Sequence, residues 1–260
     1  MIPLVKLHGL GNDFLVSFSE GGPGLARAAC ERHTGIGADG LILGGRTGSG
    51  QLSFRLWNAD GSEAEMSGNG MRCLAHAALD AGLVEEAEPF AVMTSVGRRD
   101  VTIRRTGPGR AWAVVDMGAV KVRGDAGGVC NVGHGSLLVD VGNPHLVVLG
   151  PEPDAVDVGR LGPELERSDP AGLNVEFVTL GPGPDAVTMR VWERGVGETR
   201  ACGTGSVAAA VALHHWGRVG SAVTVHQPGG AVAVEVGAGG TATLAGPSER
   251  VASCEWERPA

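Results

Sequence analysis

Two stretches decide the fold: Glu63-Ala64-Glu65-Met66-Ser67-Gly68-Asn69-Gly70 and Glu198-Thr199-Arg200-Ala201-Cys202-Gly203-Thr204-Gly205. Each runs into an alanine-rich segment of high helix propensity, Gly70 to Ala81 in the first case and Gly205 to Trp216 in the second. Superposing Ser67 on Cys202 also places Glu63 on Glu198 and Asn58 on Glu193. Both copies therefore read as strand, polar turn, Glu, small residue, Gly-x-Gly, helix. A Gly-Asn element recurs as well, at Gly11-Asn12 and Gly142-Asn143, with an offset that differs by four residues. Chance likeness between two glycine turns is the competing account of this pattern. The shared flanking positions favour two related halves, at a period far too long for a solenoid.

Working outward, short β-rich runs recur at Leu52 to Trp57, Ala111 to Val115, Ser136 to Val141, Val187 to Trp192, Ala222 to His226 and Ala231 to Val236. Their alternation and their Gly, Pro and Asp borders fit half-buried strands. A further helix is predicted over Leu25 to Arg32. The pattern is mixed α/β. We place the boundary near Asp116-Met117-Gly118, giving an N-terminal half over 1–115 and a C-terminal half over 116–248, with 249–260 returning to the first half as a strand.

Composition narrows the function classes. The chain has 260 residues, 43% of them hydrophobic, enough for a real core. Its net charge is −8 with only two lysines, Lys6 and Lys121, so no basic stripe for nucleic acid is present. No apolar run reaches the roughly 18–20 residues of a membrane span. The first eight residues lack a signal-peptide pattern, which sets the expectation of a cytoplasmic address. Five scattered cysteines (Cys30, Cys73, Cys130, Cys202, Cys254) contain no C-x-x-C pair, so neither a disulfide framework nor a zinc site is expected.

A Gly-x-Gly turn opening a helix leaves the first backbone N–H groups free beside the positive end of the helix dipole, which favours an anion. No Lys-Ser or Lys-Thr follows either turn and no Gly-x-Gly-x-x-Gly fingerprint occurs, so phosphate loops and dinucleotide sites are set aside. Cys202 stands just before such a helix, where a thiol pKa is expected to fall below its usual value of about 8.5 and yield a base. The bland alternative is a small buried hydrophobe. Two such turns facing one bound carbon would remove an α-proton on one side and return a proton on the other, with the carboxylate held on loop amides as charge develops. Neither lysine has the context of a Schiff base, so no pyridoxal phosphate or other cofactor is invoked, and no metal.

Seven stretches, in order, carry a resemblance. They are Lys6 to Phe14, Arg32 to Gly40, Asn58 to Glu63, Gly68 to Cys73, Gly142 to His145, Asn174 to Phe177, and Glu193 to Gly205. With them the chain resembles diaminopimelate epimerases over nearly its whole length. The resemblance implies two pseudo-symmetric α/β halves, each a barrel-like, mostly antiparallel sheet around a central helix, with the active site in the cleft between them and a possible homodimer. It implies interconversion of LL- and meso-diaminopimelate on the route to lysine and peptidoglycan. Asn12, Asn58, Asn143, Asn174, Glu193 and Arg194 would then contact substrate, with Asn58, Asn174 and Arg194 at the distal, unreacting amino-acid centre. The amides of Gly68-Asn69 and Gly203-Thr204 would hold the reacting carboxylate, and His145 would support the site. Taken alone, Asn12 and Asn143 also fit turn positions, and Arg194 a surface ion pair.

The sequence departs from that family at its most consequential position. The family uses two cysteines; here the first is Ser67, paired with Cys202. A hydroxyl is a far weaker acid than a thiol. Cys73 is no substitute: six residues on along a helix it stands about 120° away around the axis, with about 9 Å of rise, and is expected in the core. Three readings of Ser67 follow: a replacement that disables turnover, a variant in which the hydroxyl or a water relays the proton, or a changed function. Two rival functions stand beside the epimerase: a racemase of another amino acid, such as histidine, and a non-catalytic amino-acid-binding protein.

Overall fold

In the computed structural model, residues 1–64, 66–127, 134–150 and 152–257 are described. Glu65 of the first turn and Cys130 lie outside them. The chain divides into two compact units, Met1–Asp116 with Gly246–Ala260, and Met117–Ala245.

The first unit contains β1 (Ile2–Gly9), β2 (Asn12–Ser17), α1 (Pro23–Cys30), β3 (Gly40–Arg46), β4 (Leu52–Asn58), β5 (Glu63–Ala64), α2 (Gly68–Asp80), β6 (Phe90–Thr94), β7 (Gly97–Gly107) and β8 (Arg110–Ala119). The second contains β9 (Lys121–Asp125), β10 (Gly135–Asp140), β11 (Pro144–Leu149), α3 (Val158–Glu166), β12 (Asn174–Leu180), β13 (Ala186–Glu193), β14 (Gly197–Thr199), α4 (Gly203–His215), β15 (Ala222–Gln227), β16 (Gly230–Gly237) and the start of β17 (Thr241–Trp256). The strands and helices expected from the sequence all form. Helix α1 starts two residues earlier than predicted because Pro23 suits the first helical turn.

The order of elements is the same twice. In unit 1, β1 pairs antiparallel with β2, β2 parallel with β3, β3 antiparallel with β4, β4 parallel with β6, and β6 antiparallel with β7 and on to β8. In unit 2, β10 to β17 repeat those relations in the same sequence of parallel and antiparallel pairs. Strands β5 and β14 are short arms off β4 and β13. Even an ion pair is duplicated: Arg55 Nε to Glu63 Oε1 at 3.2 Å and Arg190 Nε to Glu198 Oε1 at 2.8 Å.

Strand β17 serves both units. Residues 241–245 pair with β16, and residues 249–256 pair with β1. Because β17 also pairs with β8, unit 1 closes as the ring β17-β1-β2-β3-β4-β6-β7-β8. In unit 2 the sheet runs from β9 to the start of β17, and Val120 N donates to Gly240 O (2.6 Å), which joins the two ends.

Each barrel encloses one helix. Residues 68–79 of α2 and 203–213 of α4 are all buried. Helix α4 is apolar on every face, the signature of a helix surrounded by protein. Helices α1 and α3 instead bury a single stripe, Leu25, Ala26, Ala29 and Cys30 in one and Val158, Gly162 and Leu165 in the other. Among the described residues no helix is long and apolar enough to cross a membrane.

The fit of α2 against its barrel depends on a missing side chain. A Cβ on Gly44 of β3 would lie 2.6 Å from Leu74 Cδ1 and 2.6 Å from Phe18 Cε1. Gly44 has no left-handed backbone to preserve. Gly44→Ala therefore sets a propensity gain of about 0.5–1 kcal/mol against overpacking of about 1–3 kcal/mol. We expect net destabilisation, measurable as a lowered midpoint in urea with an unchanged slope.

Candidate active site

Both enclosed helices are capped in the same way. Ser67 precedes α2 with φ/ψ of −140°/119°, and its Oγ accepts from Gly70 N at 3.0 Å. Cys202 precedes α4 with −125°/120°, and its Sγ accepts from Gly205 N at 3.3 Å. The two functional atoms expected from the repeat thus occupy the same local position in their units, each at a helix N-terminus.

In unit 1 the β1–β2 turn brings Asn12 to the first turn of α2, where Asn69 Nδ2 donates to Asn12 Oδ1 (3.2 Å). Asn12 Nδ2 in turn donates to Asp39 Oδ2 (2.8 Å). Beneath that turn Lys6 and Arg32 both pair with Asp13 at 2.9 Å, and Arg32 also reaches Asp39 at 2.7 Å. Lys6 is therefore committed to an ion pair. Asn58, at the end of β4, donates from Nδ2 to Ser62 Oγ (3.0 Å) and remains partly exposed.

In unit 2 Asn143 meets Thr204 of the first turn of α4 (3.5 Å), and Thr204 Oγ1 lies 3.5 Å from Cys202 Sγ. His145 contacts Asn143 Oδ1 through Nε2 (3.0 Å) and Glu176 Oε1 through Nδ1 (2.6 Å), with both His145 and Glu176 fully enclosed. Asn174 Oδ1 accepts from Arg194 N (3.1 Å), and its Nδ2 donates to Pro144 O (3.0 Å). Arg194 leans across the Gly172 turn and donates to Ala171 O (3.2 Å). Thr199 Oγ1 donates to Glu193 Oε1, and the Glu193 charge bears on the Cys202 thiol.

The electrostatics of Cys202 reverse the expectation drawn from the helix dipole. Burial, followed by the charges of Glu193 and Glu176, drives its pKa well above the ordinary thiol value. The dipole and the Gly205 N–H act in the opposite sense and are outweighed. Burial likewise pushes the Glu193 carboxyl up, against the hydrogen bond from Thr199. Cys202 thus rests as a thiol near two carboxyl groups. Cys73 is buried, as the helical geometry predicted, near Ser248 Oγ (3.8 Å) with its pKa raised to about 12.

Sequence reasoning did not single out Glu176, Gln227, Arg72 or Asp39. Gln227 accepts from Cys202 N (2.7 Å) and fixes the cap. Glu176 lies under Gly205, where a Cβ would stand 2.6 Å from Oε1. The matching position under Gly70 is apolar, with Ile42 Cδ1 at 3.2 Å from such a Cβ, and Phe14 stands in β2 where His145 stands in β11. That contrast was visible in the repeat, had the alignment been carried back along β3 and β12. No group of His, Cys, Asp and Glu among the described residues is arranged to hold a metal ion.

The diaminopimelate epimerase family model matches residues 4–122 and 137–251. The chain belongs to this family. A diaminopimelate epimerase from Desulforudis audaxviator is 42% identical over 277 aligned positions, covering 97% of this chain and 98% of the relative. Among solved structures, a predicted epimerase from Pseudomonas aeruginosa superposes with a TM-score of 0.80 at 16% identity, covering all of both chains. A probable proline racemase from Agrobacterium radiobacter gives 0.77 at 21% identity, covering 99% of this chain and 93% of that one. These two share the fold of two pseudo-symmetric halves. As an epimerase-family member the chain is an isomerase.

The raised thiol pKa has a direct readout. Below the folded pKa the thiol is protonated, so alkylation of Cys202 by iodoacetamide is expected to be slow at pH 7–8 and to rise with pH beyond 9. Glu193→Gln removes one of the two anions and should accelerate labelling at pH 8, as followed by peptide mass spectrometry.

Proposed function

We propose that this protein converts LL-diaminopimelate to meso-diaminopimelate without a cofactor, using the capped helix turns at Ser67 and Cys202. The observation that carries the reading is the duplicated cap, Ser67 and Cys202, taken together with the Asn174–Arg194 hydrogen bond. The amides of Gly68-Asn69 and Gly203-Thr204 hold the carboxylate next to the reacting carbon. Asn12 and Asn143 flank it, and Asn58, Asn174 and Arg194 take the distal amino-acid group, where a guanidinium fork suits a carboxylate. A cytoplasmic setting, which keeps the Cys202 thiol reduced, and a homodimer belong to the same proposal.

Cys202 supplies one face. Its Sγ–H protonates the substrate α-carbon in one direction. In the other, Sγ passes its proton to Glu193 and takes the α-proton in exchange. The opposite face has only the Ser67 hydroxyl, which Gly70 N–H already occupies as an acceptor and which does not ionise near neutral pH. That favours slow or one-sided turnover, and it gives the amino-acid-binding alternative its one specific support.

Proton exchange at Cα in D₂O, followed by NMR with each isomer separately, tests this. We expect the unmodified chain to exchange chiefly the isomer whose α-hydrogen faces Cys202, with little inversion. Ser67→Cys should restore inversion, raising its rate by about 10²–10⁴, the usual contribution of a positioned acid–base group. Silence from both proteins would reject the diaminopimelate reading.

A further inference from the structure

Arg72 is the largest side chain completely enclosed in unit 1, and no carboxylate pairs with it among the described residues. Its guanidinium meets three neutral oxygens: Nε donates to Pro247 O (3.1 Å), Nη1 to Gly68 O (3.3 Å) and Nη2 to Asn69 Oδ1 (2.7 Å). Gly9 makes room for it, since a Cβ there would lie 2.8 Å from Nη2. Burial lowers its pKa to about 10, which leaves it charged through the neutral range. A buried charge without a counter-ion is costly, and a well-packed apolar residue usually serves stability better. The mirror position in α4 holds such a residue, the buried Val207.

What Arg72 provides is direction. A guanidinium only donates, so Asn69 must turn Oδ1 toward it and Nδ2 away. Nδ2 then donates to Asn12 Oδ1, which turns Asn12 Nδ2 toward the Asp39 carboxylate, an acceptor only. Two amides that flip easily in isolation are held in one orientation by a donor at one end and an acceptor at the other. Unit 2 orients Asn143 by a different device, the His145–Glu176 pair.

We propose that Arg72 is a positioning residue for the epimerase site: through Asn69 it fixes the amides of Asn69 and Asn12 and sets a positive charge behind the α2 turn that receives the substrate carboxylate. The substrate part of this rests on the function proposed above, and the orientation of the amides does not.

Two measurements on the full chain separate them. Side-chain amide NMR signals of Asn12 and Asn69 read orientation without turnover, and calorimetric titration with meso-diaminopimelate reads binding. In Arg72→Met we expect both amide pairs to lose their protection from solvent exchange, and Kd to rise by about tenfold or more. Arg72→Lys, which keeps charge and donor, should recover part of each. Asp39→Ala, at the half-exposed end, should release Asn12 while Asn69 stays held, and it tests the same chain if Arg72→Met fails to fold. Unchanged Asn12 and Asn69 signals in the folded Arg72→Met variant, or an unchanged Asn12 signal in Asp39→Ala, would overturn the proposal. So would unchanged Kd in Arg72→Met. Failure of the unmodified chain to bind diaminopimelate would reject the function, and the amide signals would still decide whether Arg72 positions them.

Discussion

A helix enclosed by its own barrel must find partners for the backbone groups at its ends, because there is no surrounding water to take them. In α2 and α4 the third N–H is satisfied by the side chain at the cap, Ser67 or Cys202. The remaining amides of the first turn stay aimed along the axis. The same enclosure that makes the core therefore sets the cap atom and the first-turn amides together, the arrangement on which the proposed carboxylate site rests. Everything else in the two half-sites braces that arrangement: Asn12 and Asp39 in one, Asn143, His145 and Gln227 in the other.

The two halves share a plan and differ in charge. Unit 2 buries its cap and packs Glu193 and Glu176 near it, and burial together with these two carboxyl groups keeps the Cys202 thiol protonated. Unit 1 has Ile42 and Phe14 at the positions of Glu176 and His145, and it buries the Arg72 guanidinium instead. An inversion needs an acid on one side and a base on the other, so unequal surroundings suit the chemistry better than strict symmetry would.

Much of this was legible before any coordinates. The repeat around Ser67 and Cys202 was plain because glycine turns, caps and alanine-rich helices leave local signals. The helical phase correctly sent Cys73 into the core. The pKa of Cys202 was read in the wrong direction because burial, and after it the charges of Glu193 and Glu176 from strands β13 and β12, arise only from tertiary packing around the cap. Arg72 and Asp39 were passed over for a related reason. Each sits in a quoted motif, but their roles depend on a hydrogen-bond path through Asn69 and Asn12 that joins three segments far apart in the chain.

Strand β17 has a further consequence for how the molecule is made. Unit 1 is the first to leave the ribosome, but one stave of its barrel comes from residues 249–256. Until those residues emerge, β1 and β8 present open edges, which are prone to pair with other chains. Unit 2 has all of its own strands earlier in synthesis. The order of completion thus runs against the order of translation: the N-terminal barrel can close only after the strands of unit 2 have been made.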